Sequence, residues 1–184
     1  DQKDFPVPKR DIAQAKALMK EAGITGKLGI DYMVNNAPES RAVAEVVQSM
    51  AAEAGFDLKI RLTEFATSLK QAEDGNFQIF LIGWSGRSDP DGNSYSFQTC
   101  GSPQNNSKLC DPEVDAAQNE ARTKSALEDR KAAYEKVAAK LTPKGAGPIL
   151  YIYHPQVLVA HTDKLDGYRQ MPDGLVRVIG LKLK

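Results

Sequence analysis

Residues 56–62, Phe-Asp-Leu-Lys-Ile-Arg-Leu, alternate strictly between apolar and polar side chains. A period of two predicts a β-strand with one face in water. A second strand is predicted upstream at 28–34, and a third downstream at 77–82. The third is a nearly continuous apolar run, which is typical of a central strand covered on both faces. Helical segments separate these strands, so the order predicts an α/β fold, a mixed open sheet with flanking helices and right-handed crossovers.

The helices between the strands carry clear start and stop signals. Asp11 is a predicted N-cap for a helix that ends at Gly23, and Thr63 is a predicted N-cap for a short helix before residue 75. The clearest helix ends at Gly55 and has an apolar stripe at helical spacing. The residues of that stripe are Val43, Val46, Val47, Met50, Ala51 and Ala54.

Beyond residue 84 the sequence changes character. Residues 85–111 are rich in Ser, Gly, Asn, Asp and Pro, which predicts a long loop of the kind that often carries function. Helices are predicted at 112–122 and 126–141, with a Pro- and Gly-containing break at 142–148. Further strands are predicted at 149–153, 157–160 and 175–183.

Length and charge exclude several classes of protein. The chain has 184 residues, about one domain, with 24 Lys plus Arg against 24 Asp plus Glu. A formal net charge of zero without a basic cluster argues against a nucleic-acid partner and against an anionic membrane surface. No apolar run reaches the ~18 residues of a membrane-spanning helix, and residues 1–4 do not form a signal peptide.

Two cysteines, Cys100 and Cys110, flank a polar stretch that contains proline. The spacing is too wide for a Cys-x-x-Cys redox motif, and His154 and His161 lie too far along the chain to complete a zinc site, so no metal is predicted. The pair is either a local disulfide loop, which favours an oxidising compartment such as a periplasm, or two free thiols of a cytosolic protein.

The strongest candidate for a binding site follows the strand at 77–82. The loop sequence Gly83-Trp84-Ser85-Gly86-Arg87-Ser88-Asp89-Pro90-Asp91-Gly92-Asn93 offers backbone amides, an indole, a guanidinium and carboxylates. In open α/β sheets, ligands bind outside the carboxyl ends of the strands, so a small polar ligand fits this position. Structural alternatives remain for each group: Trp84 in the core, Arg87 as a solvated charge, and 89–92 as a simple turn.

Enzymatic interpretations of this loop are incomplete. A Gly-x-Ser-x-Gly nucleophile elbow around Ser85 needs glycine where Arg87 stands, and only His154 or His161 could serve as base. Both histidines lie in strand-like stretches, each directly after a predicted strand, which favours a structural role.

A calcium loop starting at Asp89 is also incomplete. Its sixth position is Ser94 instead of glycine, and its twelfth is Cys100 instead of glutamate. The segment 145–148 lacks the rest of any phosphate-binding fingerprint, so the sequence indicates no cofactor.

An ordered set of segments nevertheless resembles a known family. The set comprises Ala-x-Ala-Leu-Met-Lys-Glu-Ala-Gly (15–23), Ala-Glu-Ala-Gly-Phe-Asp-Leu-Lys-Ile (52–60), Phe-Gln-Ile-Phe-Leu-Ile-Gly-Trp (77–84), Asp-Pro-Asp (89–91) and the two cysteines. This pattern resembles the C-terminal lobe of bacterial extracellular solute-binding proteins of family 5, the dipeptide- and oligopeptide-binding receptors of ABC importers. The resemblance covers essentially the whole chain.

The resemblance implies that residues 1–184 are one C-terminal lobe of a two-lobed, type II periplasmic binding protein whose N-terminal lobe lies outside this sequence. Such a receptor is a non-catalytic monomer that closes like a hinge on a small solute or short peptide. It then delivers the ligand to an ABC permease in the inner membrane. The implied location is periplasmic, or extracellular and membrane-associated, so the missing signal peptide indicates truncation. The resemblance also implies a Cys100–Cys110 disulfide.

The resemblance also assigns the ligand-binding residues by position. Trp84 would pack against the ligand and the Ser85 main chain would hydrogen-bond it, with Gly86, Asp89 and Asn93 in the same loop. Where peptide-binding members place an Asp for the peptide's α-ammonium, this chain has Arg87. A guanidinium there favours an anionic group on the ligand, while Asp89 could still receive an ammonium.

Two other classes of function remain as alternatives. The chain could be a free-standing ligand-binding or protein-interaction module, in which case it would bind its partner without a second lobe. An esterase-like hydrolase using Ser85 is the enzymatic alternative, and covalent labelling of that serine would distinguish it.

Overall fold

Three parallel strands form the sheet in a computed structural model that describes residues 9–142, 147–171 and 173–184. They are β1 (Leu28–Asn35), β2 (Phe56–Thr63) and β3 (Ile79–Leu81), in the order β2-β1-β3. β1 pairs with β2 along its whole length, from Leu28↔Phe56 to Asn35↔Thr63. The α/β fold predicted from the alternating segments is confirmed.

Six helices accompany the strands in the described residues: α1 (Ile12–Glu21), α2 (Pro38–Ala52), α3 (Phe65–Glu73), α4 (Asp91–Gln98), α5 (Pro112–Thr123) and α6 (Leu127–Leu141). The carboxylate of Asp11 accepts the Gln14 N–H at 2.8 Å, so the predicted N-cap of α1 is confirmed. α2 ends before Gly55, whose φ of +102° is a conformation that favours glycine.

The strand order places α2 and α3 on opposite faces of the sheet. The chain moves from β1 to β2 on one side, then crosses β1 to reach β3 on the other, and right-handed crossovers then need one helix on each face. On one face, Tyr32 and Val34 form the core with Ala44 and Leu58. Met33 points the opposite way by strand alternation and is also fully buried, so both faces of β1 are covered.

One ion pair links β1 to β2. The Arg61 guanidinium donates to both carboxylate oxygens of Asp31, at 2.7 Å to Oδ2 and 3.0 Å to Oδ1, and also to the carbonyl oxygen of Asn76 at 3.1 Å. These hydrogen bonds from Arg61 lower the pKa of the Asp31 carboxyl below its ordinary value, against a smaller opposing effect of burial. The pair therefore stabilises the sheet when Asp31 is ionised.

β3 is not the central strand that its apolar run predicts. It lies at the sheet edge and pairs with β1 only from Tyr32↔Ile79 to Val34↔Leu81. Ile79 is 38% exposed and Ile82 is 46% exposed. The apolar pattern indicates a buried strand, but hydropathy alone carries no information about which strand has two neighbours.

Two local predictions also need correction. The segment 85–111 is not one continuous loop, because α4 lies within it. Thr63 is the last residue of β2, and the N-cap of α3 is Glu64, whose carboxylate accepts the Ala66 and Thr67 N–H groups. Glutamate is an unusual N-cap residue, whereas a threonine such as the neighbouring Thr63 is found at N-caps more often.

The C-terminal part differs most from prediction. Residues 149–153 and 157–160 form no strand, and the predicted strand at 175–183 is reduced to β5 (Lys182–Leu183), antiparallel to β4 (Leu165–Asp166). A strand needs a hydrogen-bonded neighbour, and the described residues supply none for 149–160. Of the predicted break at 142–148, residues 143–146 lie outside the described residues. None of the helices described is long and apolar enough to cross a membrane.

Candidate functional site

The loop that follows β3 lies at the sheet position where open α/β folds bind ligands. It leaves the carboxyl end of β3, next to the carboxyl end of β1, and runs into α4 at Asp91. Outgoing connections from β1 and β3 diverge here, because β1 continues through α2 to β2 while β3 continues away from the sheet. In open α/β sheets, ligands usually bind where outgoing connections diverge in this way. We refer to residues 83–93 as the site loop.

Asn93 holds the site loop in one conformation. Its side-chain oxygen accepts the Trp84 indole N–H at 3.1 Å and the Arg87 backbone N–H at 2.6 Å. Its side-chain nitrogen donates to the carbonyl oxygens of Arg87 at 2.7 Å and Asp89 at 3.2 Å. An amide side chain has two donors and two acceptor sites, so the hydrogen-bonding capacity of Asn93 is used within the loop. The predicted ligand residue Asn93 thus lies in the site as its organising group.

Trp84 is half-exposed and still held in place. Its ring is 44% exposed, which corrects the alternative of a simple core residue. The Phe97 ring meets it edge to face at 4.9 Å between centroids, and the Arg87 guanidinium lies over it at 4.3 Å. Such contacts stabilise an aromatic ring by about 0.5–1.5 kcal/mol each. The indole is therefore fixed without being buried.

Ser85, Gly86 and Arg87 form the exposed tip of the site loop. Gly86 has φ of +76°, which lets the chain turn so that the Arg87 guanidinium folds back. Arg87 Nη1 donates to Ser85 Oγ at 3.1 Å and to the Gly86 carbonyl at 2.7 Å. All three residues are exposed, so their polar groups face solvent.

Two ion pairs join the base of the site loop to the last two helices. Arg130 Nη2 on α6 donates to Asp89 Oδ1 at 2.7 Å, and Arg122 Nε on α5 lies 3.1 Å from Asp91 Oδ1. A cavity of about 200 Å³ lies between them, lined by Asp89, Asp91, Gly92, Arg122 and Arg130. Burial, reinforced by Asp91, raises the pKa of the adjacent Tyr134 hydroxyl. Because Arg130 pairs with it, the carboxylate of Asp89 is already neutralised by a cation.

Three residues that support the site were missed at the sequence level: Arg122, Arg130 and Phe97. The two arginines lie on α5 and α6, and the Asp89–Arg130 contact spans 41 residues. Local pattern gives no signal for contacts at that separation. Phe97 could have been found, because a helix starting at the Asp-Pro-Asp segment would place an aromatic side chain near the loop.

Ser85 lacks the surroundings of a catalytic nucleophile. Among the described residues, its hydroxyl oxygen has one hydrogen-bonding neighbour, the Arg87 guanidinium, which cannot act as a base. A nucleophilic serine needs a base within hydrogen-bond reach. His154 and His161 are both exposed, and the stretches around them form no strand.

The predicted Cys100–Cys110 disulfide is confirmed, with bonded sulfurs and Cα atoms 4.4 Å apart. It closes the segment between the end of α4 and the start of α5. Inside it, Asn105 donates to the carbonyls of Thr99 and Leu109, at 2.9 and 2.7 Å. The carboxylate of Asp115 accepts the Cys100 N–H at 3.0 Å. These contacts tie the C-terminal end of α4 to α5.

The chain matches the family model described as bacterial extracellular solute-binding proteins, family 5 Middle, over residues 1–106. It is 29% identical over 174 residues to di/tripeptide-binding protein 4 of Pseudomonas aeruginosa, which is 90% of this chain and 32% of that protein. It is 30% identical over 173 residues to the dipeptide-binding protein of Escherichia coli, or 89% of this chain and 32% of that protein. The chain thus spans about a third of the length of these relatives.

Solved structures agree on the fold. A dipeptide-binding protein from Pseudoalteromonas sp. SM9913, in complex with Met-Leu, superposes with a TM-score of 0.73 at 19% identity. The match covers 100% of this chain and 37% of that one. At this identity the likeness establishes the fold of the chain and leaves the ligand open.

Proposed function

Since this chain belongs to the bacterial extracellular solute-binding proteins of family 5, we propose that it captures a short peptide or a related small polar solute, anionic ones included. It does so as part of a non-catalytic receptor of an ABC importer that closes on its ligand like a hinge. The relatives named above are peptide-binding proteins by name, which supports a ligand of this class.

The observation that carries the proposal is the fixed, half-exposed indole of Trp84 at the carboxyl edge of the sheet. A large aromatic ring gains most by being buried, so a ring that is 44% exposed is available for contact. Its hydrogen bond to Asn93 restricts its motion, which lowers the entropy cost of binding. We assign Trp84 the apolar contact with the ligand.

Polar recognition is proposed for the rest of the site loop. The exposed Ser85 and Gly86 present main-chain groups to the ligand, and Arg87 presents its guanidinium. Asp89 and Asn93 contribute by holding the loop, because the Asp89 carboxylate pairs with Arg130 and the Asn93 amide is saturated.

We further propose that residues 1–184 form one lobe of a longer, two-lobed protein, with its own N-terminal lobe facing the site loop. The length of the relatives supports this, since the chain matches 32% of each. So does the exposure of large apolar side chains that a self-contained module would cover, with Leu150 and Leu158 each 87% exposed and Ile179 94% exposed. A free-standing module is the less favoured alternative.

The same proposal places the receptor outside the inner membrane, in the periplasm or attached to the cell surface. It would act as a monomer and pass its ligand to the membrane permease of the importer. The Cys100–Cys110 disulfide supports an oxidising compartment.

Calorimetric titration of the full-length protein with Met-Leu, and with a defined mixture of di- and tripeptides, tests the proposal. Binding is expected, and Trp84→Ala should weaken it about ten-fold or more, as for a buried aromatic anchor. Phe65→Ala is the matched control, because Phe65 is an exposed aromatic residue on α3, 51% accessible. Absence of binding by the wild type, or equal effects of the two variants, would contradict the proposal. Labelling of Ser85 by a fluorophosphonate would point to a hydrolase instead.

A further inference from the structure

The charges around the site loop are not evenly compensated. Arg122 pairs with Asp91 and Arg130 pairs with Asp89, so both loop carboxylates are neutralised by cations from the helices. Arg87 forms no ion pair with any residue in the ranges the structure describes. The exposed tip of the site loop therefore carries an uncompensated positive charge.

The guanidinium of Arg87 is held in one orientation. Its Nη1 donates to Ser85 Oγ and to the Gly86 carbonyl, and its plane covers the Trp84 ring at 4.3 Å. Nε and Nη2 have no hydrogen-bond partner within the described part of the chain. These two nitrogens form the edge of a guanidinium that binds a carboxylate with two parallel hydrogen bonds.

Two neighbouring residues set this orientation. Asn93 fixes both the N–H and the carbonyl of Arg87 with bonds of 2.6 and 2.7 Å. Gly92 gives the Arg87 stem its room, because a Cβ built at Gly92 would lie 2.9 Å from Arg87 Cγ and 3.0 Å from Arg87 Cβ. A glycine within a helix is less favourable than an alanine, but at this position a side chain would come too close to Arg87.

We infer that Arg87 is the anion-binding group of the site, that Asn93 and Gly92 are its positioning residues, and that the ligand carries a carboxylate next to an apolar part. The carboxylate binds the free Nε–Nη2 edge of Arg87 while the apolar part contacts the exposed area of Trp84. This inference rests on the proposed function, namely that the site loop faces the ligand.

Anion quenching of tryptophan fluorescence tests the arrangement without a known ligand. Trp84 is the only tryptophan of the chain, so its emission reports on this site alone. Iodide, an anion, and acrylamide, a neutral quencher, are titrated at constant ionic strength. Arg87→Gln should lower the iodide quenching constant about two-fold, since a unit charge about 4 Å away concentrates anions despite screening. The acrylamide constant should not fall, because acrylamide is uncharged and the loss of the guanidinium can only uncover the Trp84 ring.

Variants of Gly92 and Asn93 test whether the orientation of the Arg87 guanidinium, and not only correct folding, determines the iodide constant. Gly92→Ala and Asn93→Ala should also lower the iodide constant, and Gly92→Ala should have no further effect in the Arg87→Gln background. Arg169→Gln is the matched control, because Arg169 is an exposed arginine outside the site loop. Circular dichroism checks that each variant folds. An unchanged iodide constant in Arg87→Gln, or an equal fall in Arg169→Gln, would overturn the inference.

A second measurement uses the full-length protein and two probes that differ only in charge, N-acetyl-leucine and N-acetyl-leucinamide. The carboxylate should bind about ten-fold more tightly than the amide, and Arg87→Gln should abolish that preference. If Met-Leu binds through Trp84 while the acetylated probes show no difference, the inference fails and the proposed function stands. If neither Met-Leu nor the probes bind but the iodide result holds, the proposed function fails and the anion site stands.

Discussion

The indole N–H of Trp84 donates to the side-chain oxygen of Asn93 over 3.1 Å, nine residues further along the chain. Asn93 belongs to α4, and α4 ends next to the disulfide that leads into α5. The exposed ring is therefore held partly by α4, the helix whose end leads into the disulfide.

Asn93→Ala should release the site loop. It removes hydrogen bonds to Trp84, Arg87 and Asp89, and we expect a loss of about 1–2 kcal/mol in unfolding free energy because the bonds are exposed to water. Fluorescence anisotropy of Trp84 should fall as the ring gains motion. Asn106→Ala is the control, since the Asn106 side chain forms no hydrogen bond within the described residues. Equal anisotropy in the two variants would contradict the role of Asn93.

Removing the disulfide should destabilise the chain without unfolding the sheet. Closing a loop with a sequence separation of 10 residues stabilises by ~2.5–3 kcal/mol in the chain-entropy model. Urea unfolding of the Cys100→Ser, Cys110→Ser double variant measures this loss. Dithiothreitol should lower the stability of the wild type by a similar amount and leave the double variant unaffected. If dithiothreitol left the unfolding free energy of the wild type unchanged, the result would contradict the disulfide.

The Asp89–Arg130 contact should couple the site loop to α6. A double-mutant cycle with Asp89→Asn and Arg130→Gln is expected to give a coupling free energy of about 0.5–1 kcal/mol, because Asp89 is largely exposed. The Lys131–Glu135 pair on α6 is the reference, with an N···O distance of 3.7 Å and both side chains exposed. For that reference pair we expect a coupling free energy of about 0.3 kcal/mol or less. A coupling no larger than the reference would argue against a tether.

Acid should weaken the Asp31–Arg61 link between β1 and β2. The pKa of Asp31 is lowered in the folded state, so the pair contributes stability above the unfolded pKa of about 3.9 and loses it as pH falls through the lower folded value. Asp31→Asn should therefore cost about 1 kcal/mol at pH 7, and the difference from wild type should shrink below about pH 4.

Chemical denaturation at several pH values measures this difference. Asp163→Asn is the control, because Asp163 is exposed and has no ion pair among the residues described. A gap between wild type and Asp31→Asn that stays constant from pH 7 to pH 3 would show that the charge of Asp31 is not what stabilises the sheet.

The elements of the fold that sequence predicts correctly are those with local causes. The alternation at 56–62, the presence of helix α2 and the Asp11 cap each have causes within a few residues, and each matches the structure. The predicted stripe of α2 is only partly right, because Val47 and Ala51 pack against the core while Val46 and Met50 are 58% and 46% exposed. The edge position of β3 depends instead on which strands flank β1, a choice made by the whole chain. The strands predicted at 149–153 and 157–160 fail for a related reason, since their apolar side chains lack a neighbouring ladder in the described residues.

The candidate site follows the same division. The placement of Trp84 and Arg87 after a strand was predictable from order and spacing alone. Their contacts were not: the ring–guanidinium stack depends on the space at Gly92, and the neutralisation of Asp89 depends on Arg130, 41 residues away. A formal net charge of zero gives no sign that, within the site loop, the carboxylates are paired while the cation at residue 87 is not paired with any described residue.

Because β1 lies between β2 and β3, the pairing of the three strands can follow a defined order during synthesis. Both neighbours of β1 follow it in sequence, and the second is complete at residue 81, so the sheet can close before the ribosome has added α5 and α6. The crossovers are short, which keeps the sequence separation of these pairings small and their formation fast. The apolar segment at 149–160 emerges after these helices, when the sheet can already be paired. Its exposed apolar side chains are then free to form contacts with other parts of the mature protein.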